Sequence, residues 1–388
     1  MSAICGIIEL SGRTPDFERL KKMGKGMSFR SRGDFGAYLG RGIGIVQRGE
    51  SESGELPFIT SRGGHTYAMA FDGELKNISC ICTVAGIFDR DRDEEIILDS
   101  YLSDGLDVLG FLEGEYAFCL HDPLGNRTIL ARDGKGGKPL YYYCDRERVY
   151  FSSEIKGLLS VEEIGRGVDI SLLEEHILGE GDIGHRIYKS INEVGVGECL
   201  SVTGFGVKKI PYVFGNSTYK DLEICGGGRF KAGYDPCLEE LLHGLLVAYD
   251  YPAFDMAMPS LAFEINKNNA VFIPNGVCES EMKYFYERAD RMKYLLDGLS
   301  VKKSDQAPQK PKTPKQLEKE LSAIFERMVG ENRGNILRLL ELFDRDMLSE
   351  LKKEKDIARR IGIRGRLCQL CIWSELYSPI FERVESLN

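Results

Sequence analysis

The chain opens on an apolar run. Its first ten residues, MSAICGIIEL, hold Ile4, Cys5, Ile7 and Ile8 without a proline, which is the make-up of a buried strand. Short runs of the same kind recur at Ile43–Val46, Tyr67–Phe71, Tyr116–His121, Arg127–Leu130, Leu140–Tyr143 and Val149–Ser152. Turn signals separate them, among them Asp72-Gly73, Pro123-Leu124-Gly125-Asn126 and Gly134-Lys135-Gly136-Gly137. Two stretches have helical period instead. Asp16–Met23 sets Phe17, Leu20 and Met23 on one face, and Asp93–Leu102 begins with an acidic first turn, Asp93 and Glu94. Many strands with few helices, continuing to about residue 212, predict an α+β sandwich rather than a parallel βαβ fold.

The pattern changes after that point. Residues 213–299 mix short elements: an amphipathic helix at Cys237–Tyr249, a strand at Ala270–Ile273, the turn Pro274-Asn275-Gly276 and a helix at Glu281–Leu296. Residues 300–316 are rich in Lys and Pro and read as a linker. Within them, Thr313-Pro314-Lys315-Gln316 has a capping Thr, Pro at the first helical position and Gln three residues on, a helix start. From 317 to 388 apolar residues recur at helical spacing, through Leu317, Leu321, Ile324 and Met328 and again from Ile336 to Leu351. The expected domains are therefore 1–212, 213–299, the linker 300–316, and a helical segment 317–388.

Composition narrows the classes. A formal net charge of -9 argues against a protein that coats nucleic acid. No run reaches the roughly 18 apolar residues of a membrane span, so no membrane association is expected. The start lacks the basic leader and apolar core of a secretory signal. The 11 cysteines are scattered and odd in number, which is the pattern of reduced thiols in a cytoplasm.

Several residues can carry chemistry. Cys5 is either a small buried hydrophobe or a nucleophile. As a nucleophile its base would be its own α-amine, which titrates at roughly pH 8 once freed. Gly73 in Phe71-Asp72-Gly73-Glu74 can offer a backbone N–H to an oxyanion. Arg48 can grip a carboxylate with two prongs. Glu74 and Asp93 can hold an ammonium. Amine and carboxylate together describe an amino acid.

These residues fall in order within a known pattern. Cys5-Gly6-Ile7, Arg32-Gly33-Asp34-Phe35-Gly36, Asp72-Gly73-Glu74-Leu75-Lys76-Asn77, Asp93-Glu94-Glu95-Ile96-Ile97-Leu98, Leu112–Tyr143, Phe151–Leu159 and Glu193–Val202 resemble the class II glutamine amidotransferase domain of asparagine synthetases. The resemblance covers 1–212. It implies a four-layer αββα N-terminal-nucleophile hydrolase sandwich and hydrolysis of glutamine to glutamate and ammonia. By the same resemblance Cys5 is the nucleophile, Gly73 an oxyanion donor, and Asp72 stands where the family has an oxyanion Asn. Arg48 would bind the glutamine carboxylate, and Glu74 with Asp93 its α-amine. A homodimer is compatible with it.

Two departures set conditions. Ser2-Ala3-Ile4 precede Cys5, and an acylated nitrogen is not a base, so activity requires either cleavage after Ile4 or a base other than the α-amine. Asp72 brings a negative charge where a neutral donor is expected; loss of one such donor costs about 3–4 kcal/mol. The second half has no Ser-Gly-Gly-x-Asp-Ser loop, so the ATP and magnesium of the family are not expected, and no cofactor or metal site is read from the chain. Cys225-Gly226-Gly227-Gly228-Arg229 reads as a turn, while Tyr249–Asp255 and Phe272–Met282 resemble eroded synthetase segments. That half is expected to be a reduced, mostly helical remnant of an α/β ATP-pyrophosphatase domain with amide synthesis lost. The competing reading is an inactive pseudoenzyme that serves as a binding or regulatory module. Cys368-Gln369-Leu370-Cys371 is a single CxxC in an apolar helix, read as two core cysteines rather than a zinc site.

Overall fold

The computed structural model describes residues 2–28, 30–31, 33–49, 56–87, 90, 92–180, 184–212, 238–252, 254, 313–331, 336–377 and 379–382. The predicted elements at Ala270–Ile273 and Glu281–Leu296 and the segments Cys225–Arg229 and Phe272–Met282 lie outside them. In chain order the strands are β1 (Ala3–Glu9), β2 (Asp34–Gly40), β3 (Ile43–Gly49), β4 (Phe58–Arg62), β5 (His65–Leu75), β6 (Gly114–Asp122), β7 (Arg127–Arg132), β8 (Tyr141–Cys144), β9 (Arg148–Ser152), β10 (Gly167–Asp169), β11 (Asn192–Glu193), β12 (Glu198–Thr203), β13 (Gly206–Pro211) and β14 (Ile380–Glu382). The helices are α1 (Phe17–Gly26), α2 (Ile78–Ala85), α3 (Asp93–Asp104), α4 (Ile155–Leu159), α5 (Ile170–Leu178), α6 (Leu238–Tyr249), α7 (Pro314–Gly330), α8 (Ile336–Leu340), α9 (Met347–Lys353) and α10 (Ile357–Tyr377). They form two compact units, one of residues 1–165 and 191–218, the other of 166–190 and 219–388.

The first unit is built on two antiparallel six-stranded sheets, ordered β11-β8-β9-β1-β3-β2 and β13-β12-β7-β6-β5-β4. Side chains alternate across a strand, and β1 shows how the sequence uses that. Ile4 and Ile8 face the second sheet, where they meet Ala68, Ala70, Ala117 and Leu130. Opposite them the second sheet places small alanines of β5 and β6 beside Leu130, Leu200 and Val202 of β7 and β12. Ala3, Cys5 and Ile7 fall on the opposite face of β1. On that face the sheet carries α1 and α4: Leu20, Met23 and Met27 are buried there, and Ser152, paired with Cys5, bonds the Met27 sulfur. The outer face of the second sheet packs Phe71, Tyr116, Phe118 and Leu120 against Ile96, Ile97 and Tyr101 of α3. Helix, sheet, sheet and helix make the four layers that the sequence predicts for this unit.

Local chemistry sets the ends. The Asp16 side chain accepts from the N–H groups of Glu18 and Arg19 to start α1. β2 begins at Asp34. Gly36 lies within it, and a Cβ there would stand 1.6 Å from the Leu56 carbonyl oxygen.

In the second unit, segment 166–190 clusters with the C-terminal helices. Its α5 escaped the periodicity reading, although Asp169 caps its start and Gly179 (φ 72°) ends it. α7 carries the expected capping box of Thr313 and Gln316 and buries Leu317, Leu321, Ile324 and Met328. Cys368 and Cys371 are fully buried on α10. A polar knot lies at the end of α6. The Asp250 carbonyl accepts from the Tyr188 hydroxyl (2.7 Å) and the Trp373 indole (3.0 Å), and its carboxylate from the Tyr377 hydroxyl (2.7 Å). The Gln369 amide joins Leu242 to Phe254. No helix among the described residues is long and apolar enough to cross a membrane.

The centre of β1 tolerates no added atom. A Cβ at Gly6 would lie 2.4 Å from the Phe151 ring and 2.5 Å from the Gly44 carbonyl oxygen. Gly6→Ala is expected to lower stability by about 1–3 kcal/mol, read as a lower urea midpoint at unchanged slope.

Candidate active site

Cys5 stands near the start of β1, between β3 and β9. In register it faces Val46 on one side and Ser152 on the other. Its side chain has no exposed surface. Burial pushes the thiol well above its ordinary pKa, and the positive charge of Arg48 opposes this only in part. The residues ahead of it continue the strand. Ala3 pairs with Arg48 and Ile4 with Gln47, while the Ile4 N–H donates to the Ser153 hydroxyl at 3.0 Å and its carbonyl accepts from the Ser153 N–H at 2.8 Å. The Ile4–Cys5 peptide bond is thus held inside a paired strand.

Arg48 shares the Cys5 face of the first sheet. Its Nε donates to the Ser31 carbonyl at 3.0 Å, and its guanidinium lies 5.8 Å from the centre of the Phe35 ring. One nitrogen is thereby used for anchoring. The two terminal nitrogens have no partner among the described residues, which is the arrangement a two-pronged carboxylate contact needs.

The other four predicted residues lie at the end of β5, on the second sheet, or beside it. β4 pairs with residues 65–69 of β5, and beyond Met69 no strand among the described residues pairs with that edge of β5. Backbone groups of alternate residues point to it. The Phe71 N–H and carbonyl are both taken by the Gln47 side chain, at 3.2 and 2.9 Å. The Leu75 N–H is taken by the Asp93 carboxylate at 2.9 Å. Gly73 lies between them. Its opposite number on β6, Tyr116, directs both backbone groups to Asp133, so the pair is of the non-hydrogen-bonded kind. The Gly73 N–H therefore points to the open edge, exposed and without a partner among the described residues. Gly73 has φ 148°, and a Cβ there would stand 2.0 Å from the Glu115 carbonyl oxygen. Only glycine fits this position.

Glu74 is exposed beside it, and Asp93 begins α3. Burial raises the Asp93 pKa; the Leu75 N–H works against this, and the neighbouring Glu94 and Glu74 charges add to it. A carboxylate so placed gains from a cationic partner.

Asp72 departs most from expectation. It is 1% exposed and ion-paired: Arg30, itself buried, reaches Asp72 Oδ2 at 2.8 Å. Arg30 Nε also donates to the Ser2 carbonyl at 3.1 Å. The carboxylate expected to repel an oxyanion thus has a counter-charge built against it. Arg30 and Gln47 are the residues the sequence reading missed. Gln47 crosses from β3 to Phe71 of β5, and Arg30, between α1 and β2, reaches both the Ser2 carbonyl and Asp72. Gln47 carries a visible signal, a lone amide in the apolar run Ile43–Val46 and its continuation; Arg30 carries none.

Two outcomes check this geometry. Arg30→Met leaves Asp72 buried and unpaired and is expected to cost about 3–5 kcal/mol, with most of the loss recovered when Asp72→Asn is added. With residues 2–4 in place, iodoacetamide is expected to label the exposed Cys80 and Cys144 and to spare Cys5, as read by peptide mass.

Comparison with known proteins agrees with the fold. The family described as "Glutamine amidotransferase domain" matches residues 1–213. The chain is 32% identical over 163 residues to "Asparagine synthetase [glutamine-hydrolyzing] 3" of Bacillus subtilis, a match covering 40% of this chain and 26% of that protein. It is 33% identical over 100 residues to "Asparagine synthetase B [glutamine-hydrolyzing]" of Escherichia coli, covering 25% and 18%. The chain thus spans about a quarter or less of the length of these relatives. Among solved structures it is similar to the glutamine phosphoribosylpyrophosphate amidotransferase of B. subtilis, at 16% identity and TM-score 0.41, over 74% of this chain and 64% of that one.

Proposed function

Because the chain belongs to the glutamine amidotransferase domain family, we propose that its first unit is a latent glutaminase, active once Cys5 becomes the first residue. The observation that carries this is the unpartnered Gly73 N–H, held open between Gln47 and Asp93. A strand edge closed by side chains on both sides of one free donor is a ready oxyanion site.

The chemistry follows from the residues. The freed α-amine of Cys5 takes the thiol proton. The sulfur attacks the side-chain amide carbon of glutamine, and Gly73 N–H receives the oxyanion. The carbon–nitrogen bond breaks, ammonia leaves with the transferred proton, and water hydrolyses the thioester to glutamate and free thiol. Arg48 binds the glutamine carboxylate, and Glu74 with Asp93 its ammonium. Asp72, ion-paired with Arg30, holds this part of the strand.

The second unit is not proposed to use ATP. The pyrophosphate loop is missing from the sequence, and within Tyr249–Asp255 the Asp250 carboxylate is occupied by the Tyr377 hydroxyl. No step is routed through a nucleotide or a metal. The described cysteines are all free thiols, which supports a cytoplasmic setting.

One observation favours the second reading, an inactive binding module: Ala3 and Ile4 are fully buried members of β1. The two readings separate by experiment. Protein prepared with Cys5 first is expected to release ammonia from glutamine, and Cys5→Ala is expected to abolish it. The chain starting at Ser2 is expected to release none. No release from the Cys5-first protein would overturn the glutaminase; glutamine binding without turnover would then establish the module. Intact mass of protein from its native host shows which start occurs.

A further inference from the structure

The sandwich has a second opening, at the other end of β1. A cleft of about 530 Å³ lies there, walled by Glu9–Gly12 and by the β2–β3, β6–β7 and β12–β13 turns. Glu9 is four residues along the strand from Cys5, roughly 13 Å away, so this is a different site from the one at Gly73. Its size is that of an ordinary small-molecule site.

The polar groups come from both sheets. Tyr38 on β2 and His121 on β6 meet across the mouth, with ring centroids 6.4 Å apart. His121 Nδ1 shares a hydrogen bond with Thr128 at 3.3 Å, which leaves Nε2 unpartnered among the described residues. Burial lowers the His121 pKa and raises that of Tyr38, so both are uncharged at neutral pH. The fixed charges are mostly spent. Glu9 is held by Arg148 at 2.7 Å, and Arg127 by Asp122 at 3.2 Å. Arg41, on the β2–β3 turn, has no carboxylate partner among the described residues. A polar cleft whose unspent charge is one guanidinium favours an anion.

We propose that this cleft binds a small anionic metabolite, a carboxylate or a phosphate monoester, with Arg41 on the charge and Tyr38 and His121 hydrogen-bonding to the body. The proposal does not depend on glutaminase activity.

The test uses the full chain with isotope-labelled histidine. There are 5 histidines, so the imidazole spectrum is countable, and His121→Gln assigns the signal of interest. Inorganic phosphate and succinate are titrated separately against chloride of equal ionic strength. The expected result is a saturable shift of the His121 signals with at least one anion, at unchanged His65 signals. Arg41→Ala is expected to weaken it about tenfold or more. Phosphate or succinate acting alone identifies the anion class. No shift beyond the chloride control, or saturation unchanged in Arg41→Ala, overturns the proposal.

Discussion

Two sheets that meet across a dry face have nothing directional to fix one against the other. Methyl groups on aliphatic side chains pack almost as well after a small slide. The Gln47 amide removes that freedom. Its two hydrogen bonds to the Phe71 backbone tie a chosen residue of β3 to a chosen residue of β5. A buried amide is costly unless every group is satisfied, so the register that satisfies it is strongly selected. The candidate site depends on this link, because Phe71 is two residues from Gly73 and Gln47 is beside Arg48.

The Arg30–Asp72 pair is a second tie with a different consequence. Burying two charges seldom stabilises a fold by itself, since desolvation offsets most of the attraction. Its value here is electrical. It places a carboxylate at the strand end without leaving a net negative charge there. The same guanidinium grips the Ser2 carbonyl, so the segment ahead of Cys5 and the Asp72 carboxylate share one anchor.

The strands and the candidate residues were legible in the sequence because those features are local. Alternation shows a half-buried strand, and Cys5, Arg48, Gly73 and Asp93 each sit in a short recognisable run. The two crosslinks were not legible, because a polar residue is read as surface unless its distant partner is known. Gly36 is a similar case: the close approach of Leu56 that requires it comes from a separate part of the chain. α5 had its caps in the sequence but was read through, since its apolar residues are too frequent to show a clear stripe.

The strand pairing of residues 3 and 4 also sets a clock. A protease needs an extended segment with free edges, and Ile4 is paired with Gln47 of β3 on one side and bonded to Ser153, just after β9, on the other. One of those neighbours, β9, ends at Ser152. Until that residue leaves the ribosome, one side of the Ile4–Cys5 bond is bare. At about 5–20 residues per second, synthesis to that point takes on the order of 10 s. After it, the bond is accessible only through fraying of the strand or by chemistry from within. An outside enzyme would therefore reach this bond most easily before the chain has folded.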